Sequence, residues 1–223
     1  MFNDTAADPA RRAWELRRHI VEFQQAVGAP ERCPIPVIVA VHGLVLGLGI
    51  DIMGYCDVRY TASNASFSIK EVDIGLAADI GTLATLPKAT GNQSLLNELA
   101  FSTKQFSAAE AEKLGFVSKV VPGGRDEVVA EALTLAQTIA SKSPYAVAST
   151  KHLLLHSRDH TVTENLSYTA TWNGAGLQAK VGQPQFLQTG LVTHRFPQDT
   201  PDSLRAVLRK TTAEYAPLQK SKL

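Results

Sequence analysis

The sequence predicts an α/β domain that gives way to helices toward its C-terminus. Short β-branched runs alternate with helical stretches as far as residue 121, whereas residues 126–178 carry a helical pattern almost throughout. Alternating strands and helices are typical of a sheet covered by helices, and a chain of 223 residues can enclose one sizeable core. We therefore predict an α/β core over residues 1–125 and a helical region over residues 126–223.

The first predicted helix spans residues 9–27. Asp8 and Pro9 form a typical start, because aspartate caps free N–H groups and proline fits the first helical turn. Apolar residues then recur at steps of three and four, which gives the helix one apolar face. The residues of this face are Ala13, Leu16, Ile20, Phe23 and Val27. We interpret the arginines between them as the solvated face.

The predicted core begins with a continuous β-branched run from Pro36 to Val41, which we expect to be a strand buried on both faces. A glycine-rich turn over residues 43–49 separates this strand from a helix over residues 50–55. The remaining predicted elements are strands over 57–60, 66–69 and 117–121, short helices over 81–115, and a helix that begins at Ser143-Pro144.

The composition argues against several classes of function. A net charge of +1 offers no basic field to a phosphate backbone, so we do not expect nucleic acid as a partner. Cys33 and Cys56 cannot form a disulfide framework and lack the spacing of a metal site, so no metal is predicted. The most apolar stretch, residues 36–53, contains His42, Asp51 and several glycines, and we interpret it as buried core and not as a membrane span.

The glycine-rich turn lies where a strand ends and a helix begins, and the first turn of a helix points free N–H groups at whatever lies there. Two phosphate-binding loops are excluded, because Ile52 stands where a third glycine would be needed and no lysine follows. A site for a developing oxyanion remains, and so does a purely structural turn.

Three carboxylates, Asp51, Glu71 and Asp79, each lie in a mostly apolar stretch. Acidic side chains are seldom buried without a partner or a role, and an apolar pocket raises a carboxyl pKa toward the range that acid/base catalysis needs. Structural alternatives stay open for each. Asp51 could cap the helix after the glycines, Glu71 could pair with Lys70 or Arg59, and Asp79 could cap the next helix.

Two groups of motifs resemble a known family. Residues 34–43, the pattern Gly47-x-Gly49-x-Asp51 and the run Cys56-Asp-Val-Arg59 resemble the central signature of the enoyl-CoA hydratase/isomerase (crotonase) superfamily. Residues 70–82, with 86–88 and 91–94, resemble its dienoyl-CoA isomerase branch. The likeness covers roughly residues 9–178.

This resemblance implies a crotonase-like (ββα)n spiral core with a C-terminal helical trimerisation region. It also implies isomerisation of 3,5-dienoyl-CoA to 2,4-dienoyl-CoA in fatty-acid β-oxidation, without a cofactor, because coenzyme A is part of the substrate. The family pattern makes the backbone N–H of Leu48, between Gly47 and Gly49, an oxyanion donor. Glu71 and Asp79 match the acid/base carboxylates, with Glu71 assigned to C2 and Asp79 to C6 and the reverse left open.

Asp51 takes the place of a second glutamate in the hydratases, which makes water addition the less favoured alternative. The alternatives are an enoyl-CoA hydratase or a Δ3-Δ2-enoyl-CoA isomerase, or a shortened, catalytically impaired paralogue that acts as a partner subunit. The last of these arises because the family has a further N-terminal segment with early strands and a second oxyanion donor. We expect that segment to be missing here.

The final residues are Ser221-Lys222-Leu223, a tripeptide that a peroxisomal import receptor reads. The sequence therefore predicts a peroxisomal location and the import receptor as a partner. The resemblance adds a homo-oligomer, a trimer or a hexamer. Residues 181–198 have no clear period, and we hypothesise a retained intron there, which sequencing of the transcript would test.

Overall fold

The computed structural model describes residues 8–176 of the chain. The chain divides into two compact units, Met1–Ala136 and Gln137–Leu223, which are described separately below. Two sequence predictions lie outside the described residues: the segment 181–198 and the tripeptide 221–223.

The first helix, α1, spans Pro9–Val27 as predicted, and a short helix α2 (Ala29–Arg32) follows it. The carboxylate of Asp8 caps α1 by accepting a hydrogen bond from the Arg11 amide at 3.4 Å. No residue of α1 is fully buried, and Trp14 on this helix is 61% exposed. The predicted amphipathic helix therefore exists, but its apolar face is not enclosed by the described residues.

Six short strands form two three-stranded sheets within the described residues. The strands are β1 (Ile38–Val41), β2 (Leu44–Leu46), β3 (Val58–Ala62), β4 (Ser66–Ser68), β5 (Phe106–Ser107) and β6 (Lys119–Val121). In the first sheet β3 lies between β1 and β6, with both pairs parallel. In the second sheet β4 pairs parallel to β2 and antiparallel to β5.

The sequence correctly placed β1, β3, β4 and β6 but missed β2 and β5. Strand β2 lies inside the segment interpreted as a glycine-rich turn, and β5 has two residues, too few to show a period. The expectation that β1 is buried on both faces is wrong, because all four of its residues are only half-buried.

The helices of the first unit after α2 are α3 (Leu48–Gly54), α4 (Thr82–Ala89), α5 (Gln93–Ser102), α6 (Ala108–Leu114) and most of α7 (Arg125–Ala140). A single-turn 3₁₀ helix, Glu71–Ile74, lies between β4 and α4. Helices α3 and α4 approach so closely that a Cβ on Gly54 would lie 2.2 Å from Oγ1 of Thr85. This close approach brings Asp51 of α3 to the start of α4.

The core of the first unit joins the second sheet to α3, α4, α5 and α6. Phe67 of β4 and Phe106 of β5 are fully buried, and their rings stack with centroids 5.3 Å apart. Ile50 and Met53 of α3 and Leu86 of α4 complete its centre. Because α3 is anchored by buried residues on one side, its first turn is held where β2 ends.

The described part of the second unit is helical, comprising the end of α7, α8 (Pro144–His156) and α9 (Val162–Gly176). Ser143 caps α8 and Pro144 is its first residue, as predicted. Rings join α8 to α9, with His152 stacked on Trp172 and His156 on Tyr168 at centroid distances of 4.1 and 4.0 Å. Within residues 8–176, every helix is too short or too polar to span a bilayer.

Candidate active site

The glycine turn is built by a backbone that only glycine adopts readily. Gly47 has φ of +47°, and its N–H donates to the Ser68 carbonyl at 3.0 Å while its own carbonyl accepts from the Ile50 amide at 2.7 Å. Gly49 is needed for a different reason, since a Cβ there would lie 3.0 Å from Cγ1 of Val45. The two glycines allow α3 to begin directly after β2.

Leu48 is the first residue of α3, so its N–H belongs to the first turn, where amides lack an intrahelical acceptor. Its side chain is 40% exposed. A backbone donor tolerates any side chain, and leucine at this position leaves the amide available. The structure therefore places the sequence-predicted donor at the start of a helix, beside the glycine that precedes it.

The Glu71 side chain packs against that same glycine. A Cβ on Gly47 would lie 3.1 Å from Oε1 of Glu71, a tight contact that shows how closely the carboxylate packs against the turn. The other oxygen, Oε2, is buried and has no hydrogen-bond partner among the described residues. A buried carboxylate oxygen without a partner is costly in a resting structure, and such costs are common at catalytic sites.

Burial raises the pKa of Glu71 above its ordinary value, and the charges of Asp51 and Asp79 raise it further. Backbone hydrogen bonds at Glu71 and Lys70 act in the opposite direction without cancelling the effect. Desolvation and like charges both favour the neutral acid. The result is a carboxyl group whose pKa lies closer to neutral pH, as a group that both takes and returns a proton requires.

The neighbours named as structural alternatives for Glu71 are engaged elsewhere. Lys70 pairs with Asp73 at 2.7 Å, and Asp73 also accepts a hydrogen bond from Oγ1 of Thr103 at 2.6 Å. The Arg59 guanidinium donates to the carbonyls of Cys56 and Phe116. Asp73 thus anchors the 3₁₀ turn that carries Glu71.

Asp51 is buried, with only 2% of its surface exposed. Its Oδ1 accepts two hydrogen bonds from Thr82, one from the amide at 2.6 Å and one from the hydroxyl at 2.8 Å. It therefore caps α4, not α3, in which it lies. These contacts favour a positioning role for Asp51, and its charge also acts on Glu71.

Asp79 is exposed, on the loop just ahead of α4. The N-cap of α4 is Gly81, and Asp51 supplies the capping oxygen, so Asp79 is not the cap. It lies beside a cavity of about 380 Å³ whose lining includes Gln24, Tyr55 and Leu83. Its charge raises the pKa of Glu71, which puts the two carboxylates in one electrostatic environment.

The structure therefore groups the six predicted site residues around Glu71 and the glycine turn against which it packs. Leu48 and Gly49 lie on the turn, Gly47 contacts Glu71, and Asp51 and Asp79 act on its pKa. The sequence analysis missed Gln24, Tyr55 and Thr82, which contact residues 79–82 or Asp51. Only Gly81, directly before a helix, hinted at a close approach in that loop.

Among residues 8–176, no group of three or more histidine, cysteine or acidic side chains lies close enough together to bind a metal ion. Cys33 and Cys56 are not joined by a disulfide. What the described site offers is carboxylates of unequal burial, a helix start with free N–H groups, and an adjoining cavity.

Comparison with known proteins identifies the family of this chain. The enoyl-CoA hydratase/isomerase family profile matches residues 15–198. The human mitochondrial Δ3,5-Δ2,4-dienoyl-CoA isomerase is 53% identical over 173 residues, which is 78% of this chain and 52% of the human protein. The peroxisomal Δ3,5-Δ2,4-dienoyl-CoA isomerase of Arabidopsis thaliana is 46% identical over 170 residues, 76% of this chain and 60% of that protein.

Among solved structures, an enoyl-CoA hydratase from Polaromonas sp. JS666 superposes with a TM-score of 0.71 at 26% identity, covering 93% of this chain and 73% of that one. This similarity confirms the predicted crotonase-like α/β fold. The chain spans about half the length of the human protein that it matches. A family profile over most of the chain, together with relatives near 50% identity, shows that this chain belongs to the enoyl-CoA hydratase/isomerase family.

Proposed function

We propose that this chain isomerises 3,5-dienoyl-CoA to 2,4-dienoyl-CoA in fatty-acid β-oxidation. The observation that carries the proposal is Glu71, a carboxylate with a buried, unpartnered Oε2 and a raised pKa, packed against the glycine before Leu48. Relatives near 50% identity that bear the name Δ3,5-Δ2,4-dienoyl-CoA isomerase support this reaction over others of the family.

The reaction needs two proton transfers and no redox step. A base removes a proton from C2, and the electron pair of that C–H bond delocalises onto the adjacent thioester oxygen and, through the two double bonds, to C6. An acid then delivers a proton to C6, and the double bonds move from positions 3 and 5 to positions 2 and 4. Glu71 and Asp79 would be the two groups, and the net proton count of the enzyme is unchanged after one cycle.

The Leu48 N–H would stabilise the negative charge that develops on the thioester oxygen. A backbone donor aimed at a developing oxyanion typically contributes about 2.7–4 kcal/mol to lowering the barrier. Its place at the start of α3 adds the favourable end of the helix dipole. The closeness of Glu71 to the same turn supports a substrate pose in which C2, next to the carbonyl, faces Glu71.

Water addition across a double bond is the competing reaction in this family. In the hydratases a second glutamate takes the place of Asp51, but here the Asp51 oxygen is occupied by two hydrogen bonds from Thr82. A carboxylate oxygen that caps a helix in the core is poorly placed to activate water. Asp51 would therefore support the site instead of transferring a proton.

The central test is turnover of a 3,5-dienoyl-CoA, followed by the near-ultraviolet absorbance of the conjugated 2,4-dienoyl thioester. Wild-type chain should give turnover, while Glu71→Gln and Asp79→Asn should each reduce kcat by at least about 100-fold, as expected for loss of an acid/base group. Asp126→Asn, at the exposed start of α7, is the matched control and should retain full activity. Well-folded wild-type protein without turnover would refute the proposal.

Isotope exchange separates the two assignments of Glu71 and Asp79. If Glu71 serves C2, Asp79→Asn should still exchange the C2 protons of the substrate for deuterium in D₂O without forming product. Glu71→Gln should then exchange nothing at C2. The opposite pattern would assign C2 to Asp79, and mass spectrometry of recovered substrate measures both.

For location, we propose the peroxisome, on the strength of Ser221, Lys222 and Leu223. The relatives include both mitochondrial and peroxisomal proteins, so the tripeptide is the feature that would decide. A fluorescent protein fused to the N-terminus should colocalise with peroxisomes and disperse when Leu223 is deleted. Fluorescence that stays outside peroxisomes when Leu223 is present would contradict the proposal.

We also propose that residues 126–223 form a helical region that assembles the chain into a homo-oligomer, a trimer or a hexamer, while residues 1–125 carry the site. The support is the pair of helices α8 and α9, together with exposed apolar side chains such as Leu154 and Leu166 on them. Light scattering coupled to size exclusion would give the mass, and a monomer at micromolar concentration would contradict it.

A further inference from the structure

Three of the four residues 79–82, which lead into α4, are each hydrogen-bonded to a side chain from a distant part of the first unit. The Gln24 amide of α1 donates to the Asp79 carbonyl at 2.5 Å, and the Tyr55 hydroxyl donates to the Ile80 carbonyl at 2.9 Å. Thr82 donates its amide and its hydroxyl to Asp51. The backbone of this segment is therefore held at residues 79, 80 and 82.

Gly81 completes this set by letting an aromatic ring lie against the backbone. A Cβ on Gly81 would lie 2.4 Å from Cε2 of Tyr55, closer than any real contact. The backbone of Gly81 is extended, with φ of −174°, a value that any residue adopts. Space for the Tyr55 ring, and not backbone conformation, is thus what requires glycine here.

The Tyr55 hydroxyl is suited to act as a lasting donor. Burial raises the pKa of Tyr55 above its ordinary value, and the charges of Glu31 and Asp51 raise it further. The phenol therefore keeps its proton throughout the neutral range and can always donate to the Ile80 carbonyl.

Asp79 itself depends on this frame. Among the described residues, its carboxylate oxygens accept no hydrogen bond, and its side chain is exposed beside the cavity of about 380 Å³. Within the part of the chain that the structure describes, the hydrogen bonds that locate Asp79 are therefore those on its backbone. The side chains that hold the backbone, Gln24 and Tyr55, line the same cavity.

We propose that Tyr55 and Gln24 are positioning residues for Asp79, holding the carbonyls of residues 79 and 80 so that the Asp79 carboxylate meets the reacting carbon. The inference rests on the proposed function, in which Asp79 transfers a proton. A displacement of about 1 Å at a reacting group can cost about 100-fold in rate. Two single hydrogen bonds far from the substrate carbonyl thereby control the rate of the chemical step.

Tyr55→Phe is the sharpest variant, because it removes the hydroxyl and keeps the ring that lies against Gly81. We expect kcat for the 3,5-dienoyl-CoA to fall roughly 10-fold to 100-fold with KM changed less than about twofold. Gln24→Ala should act in the same direction. Tyr60→Phe, which removes a phenol hydroxyl from β3, is the matched control and should leave kcat unchanged.

A double-mutant cycle distinguishes positioning from a general loss of structure. In an Asp79→Asn background, Tyr55→Phe should change the residual turnover less than about twofold, because the group that it positions is already gone. A full additional loss of 10-fold or more in that background would overturn the proposal. So would a Tyr55→Phe enzyme with wild-type kcat.

A measurement without substrate keeps this inference separate from the proposed function. In protein labelled with ¹³C at aspartate carboxyls, the Asp79 resonance is assigned by its loss in Asp79→Asn. Tyr55→Phe should shift the Asp79 resonance and leave that of Asp126 in place, even if wild-type protein turns over no substrate. An unmoved Asp79 resonance overturns the inference, and Gln24→Ala serves the same measurement if Tyr55→Phe does not fold.

Discussion

At the scale of single residues, the site depends on how differently its carboxylates are solvated. Glu71 has a buried oxygen without a partner among the described residues, Asp51 is buried and accepts two hydrogen bonds from Thr82, and Asp79 is exposed. All three are acidic residues in apolar stretches of sequence, so their local sequences are nearly alike in composition. Their different chemical characters come from their neighbours, because burial and nearby charge decide the pKa of a carboxyl group.

The raised pKa of Glu71 has a consequence for stability. Below the ordinary glutamate pKa, roughly 4.3, Glu71 is neutral in both the folded and the unfolded chain. As pH rises through the higher folded-state pKa, the folded protein loses stability, because ionisation is easier in the unfolded chain. We therefore expect Glu71→Gln to gain free energy of unfolding relative to wild type as pH rises from about 4 to 8, in urea titrations.

Glu110 is a control because its pKa is shifted in the opposite direction from that of Glu71. The backbone and side-chain hydrogen bonds of Ser107 lower the pKa of Glu110 in the capping box of α6. Its contribution to stability is present above the ordinary glutamate pKa and is lost as pH falls through the lowered value. Glu110→Gln should therefore lose stability relative to wild type as pH rises. If both variants followed the same trend, the assigned solvation of Glu71 would be wrong.

At the scale of secondary-structure elements, the contact between α3 and α4 organises the site. Asp51 lies one turn into α3 and caps α4, and Gly54 lets the two helices approach at Thr85. The helix that begins with the proposed oxyanion donor is thereby tied to the helix that follows Asp79. A substitution at this contact should therefore affect both the Leu48 N–H and Asp79.

We expect Asp51→Ala to lower the free energy of unfolding by about 1–3 kcal/mol, because the buried Thr82 amide and hydroxyl would lose their acceptor. Asp51→Asn is the matched comparison, since its carbonyl oxygen can still accept both bonds, and it should cost less. It also removes a charge that raises the pKa of Glu71, so the acidic limb of kcat/KM should move to lower pH. An unmoved limb would show that the two carboxylates are uncoupled.

At the scale of the whole first unit, a small core holds a site made of loops and helix ends. Phe67 and Phe106 stack across the β4–β5 pair, and the Ser68 carbonyl that follows Phe67 accepts the hydrogen bond of Gly47. The core thus continues directly into the glycine turn. Loops placed on such a scaffold are precise only while the strands beneath them keep their positions.

Phe67→Ala should lower the free energy of unfolding by about 3–5 kcal/mol, the usual cost of a cavity left by a buried phenylalanine. Phe101→Ala makes the same chemical change on α5, where the side chain is 74% exposed, and should change stability by no more than about 0.5 kcal/mol. Denaturant unfolding of both variants measures the difference. Equal losses for the two variants would contradict this picture of the core.

The sequence by itself determined the α/β class, the first helix, four of the six described strands and the candidate carboxylates. Those features are local: Asp8-Pro9 and Ser143-Pro144 start helices, and the run before Val41 forms a strand wherever it is packed. The two strands that it missed, β2 and β5, are too short for their periodicity to be visible.

Only the tertiary structure decided how each carboxylate is solvated and hydrogen-bonded. Asp51 finds its partner 31 residues away at Thr82, and Tyr55 finds its acceptor 25 residues away at Ile80, distances over which no local pattern extends. The Glu71 carboxylate likewise packs through Oε1 against Gly47, which belongs to a different part of the chain. Solvation and hydrogen bonding are properties of packed neighbours, and packing brings together residues that the sequence keeps apart.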